Sequence, residues 1–263
     1  MTASSTPITG GVVSADIAVP EHEAVVTFYS SVLSTGETPL WRDDLMNNLG
    51  TPVIGVGERV EAYAHLPLQW MPHIQVADVA ASVGRALERG GRELLHHRDE
   101  RGRSQWAVLG DPNGAAFGIV PAVPSESVPE SSASSSGSPE GVGRISWLDL
   151  TVPDAVATRD VYQAVVGWAA GGVEMEDADG RYADYVLSSG DGSAVAGVCH
   201  ARGPNRGLPV AWLIYLAVGD LAESLRRVAE GGGEVLRSGG SDADPTYAVI
   251  RDPVGAHLAL VPG

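Results

Sequence analysis

Residues 144–166, RISWLDLTVPDAVATRDVYQAVV, decide the fold, because the same phrase occurs earlier as VVSADIAVPEHEAVVTFYSSVL over residues 12–33. Each copy alternates apolar and polar residues, reaches Val-Pro (Val19-Pro20, Val152-Pro153) and then turns into an acidic helix start. Alternation predicts a strand with one covered face. The proline ends it. Beyond it, Val25, Phe28, Tyr29 and Val32 fall at helical spacing, as do Val161, Tyr162 and Val165 in the later copy.

Further on, a second strand-helix phrase is also written twice. It reads HIQVADVAASVGRALERGG over 73–91 and IYLAVGDLAESLRRVAEGGG over 214–233. Val79, Val83, Ala86 and Leu87 share one predicted helix face, and Leu221, Leu225 and Val228 another. Asp or Glu near each start suits the helix dipole, and Gly90-Gly91 and Gly231 to Gly233 suit helix ends. Each half closes on a matching phrase, WAVLGDPNGAAFGIVP (106–121) or YAVIRDPVGAHLALVP (247–262). The Asp-Pro-x-Gly within it reads as turn chemistry without a catalytic role. Between the halves, VPSESVPESSASSSGSPE (123–140) has no apolar period and is expected to be a flexible linker spanning roughly 20 to 25 Å. The chain is a tandem duplication. The expected domains are 1–122 and 141–263, joined by 123–140.

Composition narrows the partners. Of 263 residues, 17 are Lys or Arg and 33 Asp or Glu, a formal net charge of −16. Such a chain repels phosphate backbones and anionic headgroups, so nucleic acid and membrane surfaces are not expected partners. No apolar run approaches a membrane span, and the first residues lack a signal-peptide pattern, so a cytoplasmic protein is expected. The single cysteine, Cys199, allows neither an intrachain disulfide nor a Cys-rich zinc site. Walker, GxGxxG, HExxH and GxSxG motifs are absent, so nucleotide and hydrolase readings lack support.

A strand-helix unit written four times, with Asp-Pro-x-Gly before each half's last strand, resembles the vicinal oxygen chelate superfamily. That group includes glyoxalase I, bleomycin-resistance proteins and extradiol dioxygenases. WLDLTVPD, VAG and RDPVGA are more narrowly similar to two-domain glyoxalase-like proteins. The resemblance implies an α+β fold: two tandem domains, each of two βαβββ modules curling a sheet into a cup.

The metal-dependent members hold a divalent ion with His or Gln in a module's first strand and Glu in its last, donors suited to such ions. Carried over, these positions fall at Ser14, Met71, Trp147 and Leu213, and at Gly118 and Ala259. None is a competent ligand, so no metal or other cofactor is expected. A relocated metal site would draw on His73, Gln75, Asp16 and Glu61, or on His257 and Asp149. That is the alternative reading, a metal-dependent lyase, isomerase or dioxygenase.

By strand alternation, the first cup is lined by Ser14, Asp16, Met71, His73, Gln75 and Trp106. The second is lined by Trp147, Asp149, Thr151, Tyr215, Tyr247 and His257. Apolar and aromatic surface with a few polar groups suits a small, planar ligand. Asp16 with His73, and Asp149 with His257, are the candidate acid-base pairs. Cys199 has no evident His partner for a nucleophilic role, and His96 and His97 are expected on an exposed strand edge. The leading expectation is a metal-free protein that binds or transforms a small aromatic molecule in natural-product metabolism. Binder or catalyst stays open, and so does pairing as a homodimer.

Overall fold

A computed structural model describes residues 9–37, 39, 41, 53–122, 144–241 and 244–263; the linker read over 123–140 lies outside them. The amino-terminal half contains β1 (Val12–Val19), α1 (His22–Leu33) and β2 (Ile54–Glu58). It continues with β3 (Met71–Val76), α2 (Val79–Glu88), β4 (Arg92–Arg98), β5 (Ser104–Gly110) and β6 (Ala116–Pro121). The carboxy-terminal half contains β7 (Ile145–Val152), α3 (Ala155–Val166), β8 (Ala169–Asp177), β9 (Gly180–Ser188) and β10 (Ala194–His200). Then come β11 (Trp212–Val218), α4 (Leu221–Glu230), β12 (Glu234–Ser241), β13 (Asp244–Arg251) and β14 (His257–Pro262). The α+β class is as expected, with strands of the two halves in a six-stranded and an eight-stranded sheet. Three modules show the full βαβββ order; of the first, only β1, α1 and β2 lie among the described residues.

The helix starts use their acids chiefly as caps. The Asp78, Asp154 and Asp220 side chains each accept a backbone N–H three residues on, at the head of α2, α3 and α4. The anticipated faces are buried with two exceptions: Leu225 of α4 is half-buried, and Leu87, on the rim of α2, is 49% exposed.

The chain forms two compact units, and neither coincides with a half of the sequence. Among the described residues, the first comprises 9–13, 71–122 and 148–212. Within it, β3 pairs parallel with β6, and β5 and β4 follow antiparallel. Likewise β7 pairs parallel with β10, and β9 and β8 follow antiparallel. Helices α2 and α3 pack together, with the buried Ser82 hydroxyl donating to the Val165 carbonyl at 2.7 Å. Their core is aromatic. The Tyr162 ring lies 5.1 Å from Phe117, 5.8 Å from Trp168 and 5.1 Å from Trp212. Trp212 Nε1 donates to the Tyr162 hydroxyl at 3.0 Å, and that hydroxyl bonds to Asp111.

Among the described residues, the second unit comprises 14–37, 39, 41, 53–70, 144–147, 213–241 and 244–263. Here β1 pairs parallel with β2, and β11 with β14, followed antiparallel by β13 and β12. Helices α1 and α4 pack together, with the Ser224 hydroxyl donating to the Val32 carbonyl at 2.8 Å. The polar triad of the first unit recurs: the Tyr29 hydroxyl donates to Asp252 Oδ2 at 2.9 Å and accepts from Trp70 Nε1 at 3.2 Å.

Asp111 and Asp252 are the acids of the two Asp-Pro-x-Gly turns. As expected, each accepts the turn's own amides: Asn113 and Ala115 for Asp111, Val254 and Ala256 for Asp252. Turn chemistry alone is too narrow, however. Each carboxylate also anchors a tyrosine from the other half of the sequence, which hydrophobic periodicity could not register. Burial raises both carboxyl pKa values, against the pull of the turn amides.

Candidate functional site

In the first unit, His73 and Gly118 are direct partners across β3 and β6. A Cβ at Gly118 would lie 2.3 Å from His73 Cδ2, so the imidazole covers the glycine. Gly118 is the position that the family resemblance assigns to a last-strand carboxylate. Met71 is 4% exposed, and Gln75 lies with its Oε1 against Gly11. On β5, Trp106 stacks on His97 of β4 at 5.5 Å between centroids and 18° between planes. Strand pairing sets His97 directly opposite Trp106. The exposed edge expected for both histidines holds for His97 alone. The His96 side chain is 3% exposed, and its ring nitrogens meet Glu93 and Ser104.

Elsewhere in this unit, the β7–β10 register sets Asp149 beside Gly197 and Thr151 beside Cys199. Thr151 is buried and Asp149 half-buried. The Cys199 thiol bonds to Asp184, and burial, with the Asp149 and Asp184 carboxylates, pushes its pKa up to about 12. Such a thiol carries almost no thiolate at neutral pH, which disqualifies it as a nucleophile. Asp184 itself is 5% exposed. Its Oδ1 accepts the His200 backbone N–H at 2.8 Å and lies 3.2 Å from His200 Nδ1. Beside it, the Tyr182 ring meets His200 edge-on at 5.7 Å and carries the Arg202 guanidinium 4.2 Å from its centroid. Arg202 in turn forks onto Asp177, with Nε and Nη2 donating at 2.9 and 2.6 Å. That fork holds the Asp177 carboxyl at about 2.

The second unit holds the remaining expected residues. Asp16 is exposed and lies over Gly55, its Oδ1 2.5 Å from where a Cβ would stand; Ser14 is half-buried on the same strand. Tyr215 pairs with Ala259 across β11 and β14, and its carbonyl accepts from the Ser146 hydroxyl at 3.1 Å. Tyr247 covers Gly239 on β12, and Trp147 is half-buried on β7. His257 is half-buried; burial lowers its pKa, and neighbouring Arg251 lowers it further. Glu61 is exposed on a short 3₁₀ turn (Glu61–Tyr63). Asp16 and Asp149 thus fall in different units from His73 and His257, their expected acid-base partners.

A divalent ion does not fit the inherited positions. Trp147, Leu213, Gly118 and Ala259 offer no suitable side-chain donor, and the His73 ring fills the space over Gly118. Among the described residues, no three His, Cys, Asp or Glu side chains form a group that could hold an ion.

The Asp184–His200 contact was not foreseen. Its one local signal is an acid at the alternating position of an otherwise apolar strand, Tyr182-Ala183-Asp184-Tyr185-Val186-Leu187. Among the described residues, no helix is long and apolar enough to cross a membrane.

Residues 13–120 match the model of the glyoxalase-like domain. The chain is 27% identical over 267 residues to CFP32 of Mycobacterium tuberculosis, named provisionally as a glyoxylase, spanning 94% of this chain and 92% of that protein. It is 30% identical over 200 residues to the anthracycline biosynthesis protein DnrV of Streptomyces peucetius, spanning 74% of this chain and 66% of that protein. Among solved structures, a mutant of 4-hydroxymandelate synthase from Streptomyces coelicolor superposes with a TM-score of 0.54. At 14% identity, over 98% of this chain and 93% of that one, it is a likeness of fold. With its duplicated strand-helix modules and its glyoxalase-like domain, the chain belongs to the vicinal oxygen chelate superfamily.

Proposed function

We propose that this chain is a metal-free member of its superfamily that binds or transforms a small aromatic molecule. The His73 ring seated over Gly118 is the observation that carries the reading, because it fills the space above the position that the family resemblance assigns to a metal-binding carboxylate. The stacked Trp106 and His97 rings on the same set of strands support a planar ligand, as aromatic faces favour offset stacking. The name of DnrV, an anthracycline biosynthesis protein, points the same way. In this reading the residues expected to meet the ligand divide between the two units: Met71, His73, Gln75, Trp106, Asp149 and Thr151 belong to the first, and Ser14, Asp16, Trp147, Tyr215, Tyr247 and His257 to the second.

Two measurements test it together. Metal content of untagged protein purified without chelator should be far below one ion per chain, and adding Fe, Mn, Ni or Zn should change nothing. Tryptophan fluorescence titrated with planar aromatic metabolites should quench and saturate. A stoichiometric ion, or silence across a broad panel of such compounds, would sink the proposal.

A further inference from the structure

The outer edge of a sheet offers a row of backbone N–H and C=O groups to any further strand, and proteins blunt such edges with bulges, short strands, prolines or charges. Among the described residues, the two sheets end on β2, β4, β8 and β12. Of these, β2 is short, with five residues. The β4–β5 ladder shifts register between Glu93 and Leu95 and again between His97 and Arg98. The β12–β13 ladder shifts between Val235 and Arg237 and again between Gly239 and Gly240. Such bulges bend an edge and end its pairing. By contrast, β8 pairs with β9 in unbroken register from Ala169 to Asp177 and contains no Pro, Lys or Arg. Its one blunting feature is three acids, and all three lie in its second half.

That lopsidedness makes the strand complementary to itself. Ala169, Ala170, Gly171 and Gly172 are small, whereas Glu174, Met175, Glu176 and Asp177 are long or charged. Val173 stands at the midpoint and is 41% exposed, and Glu174 and Glu176 are exposed on either side of half-buried Met175. A Cβ at Gly171 or Gly172 would meet nothing within 4 Å, and neither glycine has a positive φ, so the space beside them is open. Set antiparallel against a second copy about a two-fold axis at Val173, the strand matches along its whole length. Glu174 then faces Gly172, Met175 faces Gly171, Glu176 faces Ala170 and Asp177 faces Ala169. Every long side chain meets a small one, and no acid meets an acid. An axis at Glu174 would set that residue against itself, and an axis at Met175 would set it against Glu176; like charges directly opposite destabilise a ladder. An axis at Gly172 would leave Glu176 and Asp177 outside the paired span.

We propose that β8 is a dimerisation edge: two copies of the chain pair their β8 strands antiparallel about a two-fold axis at Val173. The partner is a second copy of this chain, and because the same edge is used on both sides, the assembly closes at two. Backbone hydrogen bonds supply most of the seam, with the two Val173 side chains in contact at its centre. A single strand pair covers little area, so the dimer is a weak one that forms as concentration rises. The two Glu174 carboxylates approach each other only on the diagonal, roughly 7–8 Å apart by strand geometry. This inference is independent of the aromatic-ligand reading.

Sedimentation velocity on the full chain, from micromolar to sub-millimolar protein, reads the assembly directly. Wild type should pass from monomer toward dimer as concentration rises, and no larger species should form. Val173→Glu sets two carboxylates face to face at the centre of the seam, on a side chain exposed enough to accept a charge. It should stay monomeric throughout, with a circular-dichroism melt like that of wild type. Gly172→Lys sets a cation opposite the Glu174 of the second copy, in space that is open, and should tighten the dimer several-fold at low salt. If Val173→Glu does not fold, Gly172→Lys decides alone. Four results would each overturn the proposal: a wild type that stays monomeric at every concentration, a dimer that folded Val173→Glu leaves intact, a dimer that Gly172→Lys fails to tighten, or an assembly larger than two.

Discussion

Gly118 has conformationally ordinary backbone, so its smallness serves His73 rather than a turn. A methyl group there would stand 2.3 Å from an imidazole carbon, closer than any real contact. Gly118→Ala is therefore expected to destabilise the protein by about 1–3 kcal/mol, the usual cost of overpacking. The double variant Gly118→Ala/His73→Ala should recover most of that loss, since the clash needs both partners. Denaturant melts of the four proteins measure the coupling. Cys199 allows a separate check at this scale. With its thiol at about 12, only about one molecule in ten thousand carries a thiolate at pH 8. Alkylation by iodoacetamide should be negligible in the folded protein and should appear on unfolding. Fast labelling of native protein would contradict the buried, carboxylate-flanked environment described here.

Elements are locked by the two Tyr–Asp–Trp triads, which join α1 to a turn of the second unit and α3 to a turn of the first. Tyr29→Phe leaves Trp70 Nε1 without its acceptor and Asp252 Oδ2 without its tyrosine donor, all within a buried site. A loss of about 1–3 kcal/mol is expected, with Tyr162→Phe behaving alike in the other unit. The pH dependence has a definite sign. Burial already raises Asp252, and the Tyr29 hydroxyl opposes that rise by favouring the carboxylate. Without it the folded-state value climbs further. A raised folded-state carboxyl contributes stability that is full below its unfolded value and lost as pH rises through the folded one. The destabilisation of Tyr29→Phe should therefore be larger near pH 7 than near pH 4. Equal losses at both would argue that Asp252 is not the partner that matters. Such acids were legible in the sequence as turn formers, because Asp before Pro is a local signal. Their tyrosine partners were not, since the contact has no sequence period.

At the scale of the molecule, each compact unit is assembled from both sides of the linker. Tyr29 meets Asp252 across 223 residues, and Asn113 of the first unit donates to Thr158 across 45. Fragments cut within 123–140 would each expose an aromatic core face and a buried acid without its tyrosine. Neither fragment alone is expected to unfold cooperatively, whereas mixing the two should restore a single sigmoidal melt. Two independently cooperative fragments would show that each half carries its own core. The duplication, the module order and the helix faces were readable from the chain alone, because strand alternation and helical spacing are written in neighbouring residues. Which residues stand at the positions that the family resemblance assigns to metal donors was readable too, but only by matching those positions one by one. Which module shares a core with which, and the meeting of Asp184 with His200, were decided only on folding. Those contacts depend on strand pairing and on where a loop comes to rest, and neither leaves a periodic trace in the residues that make them.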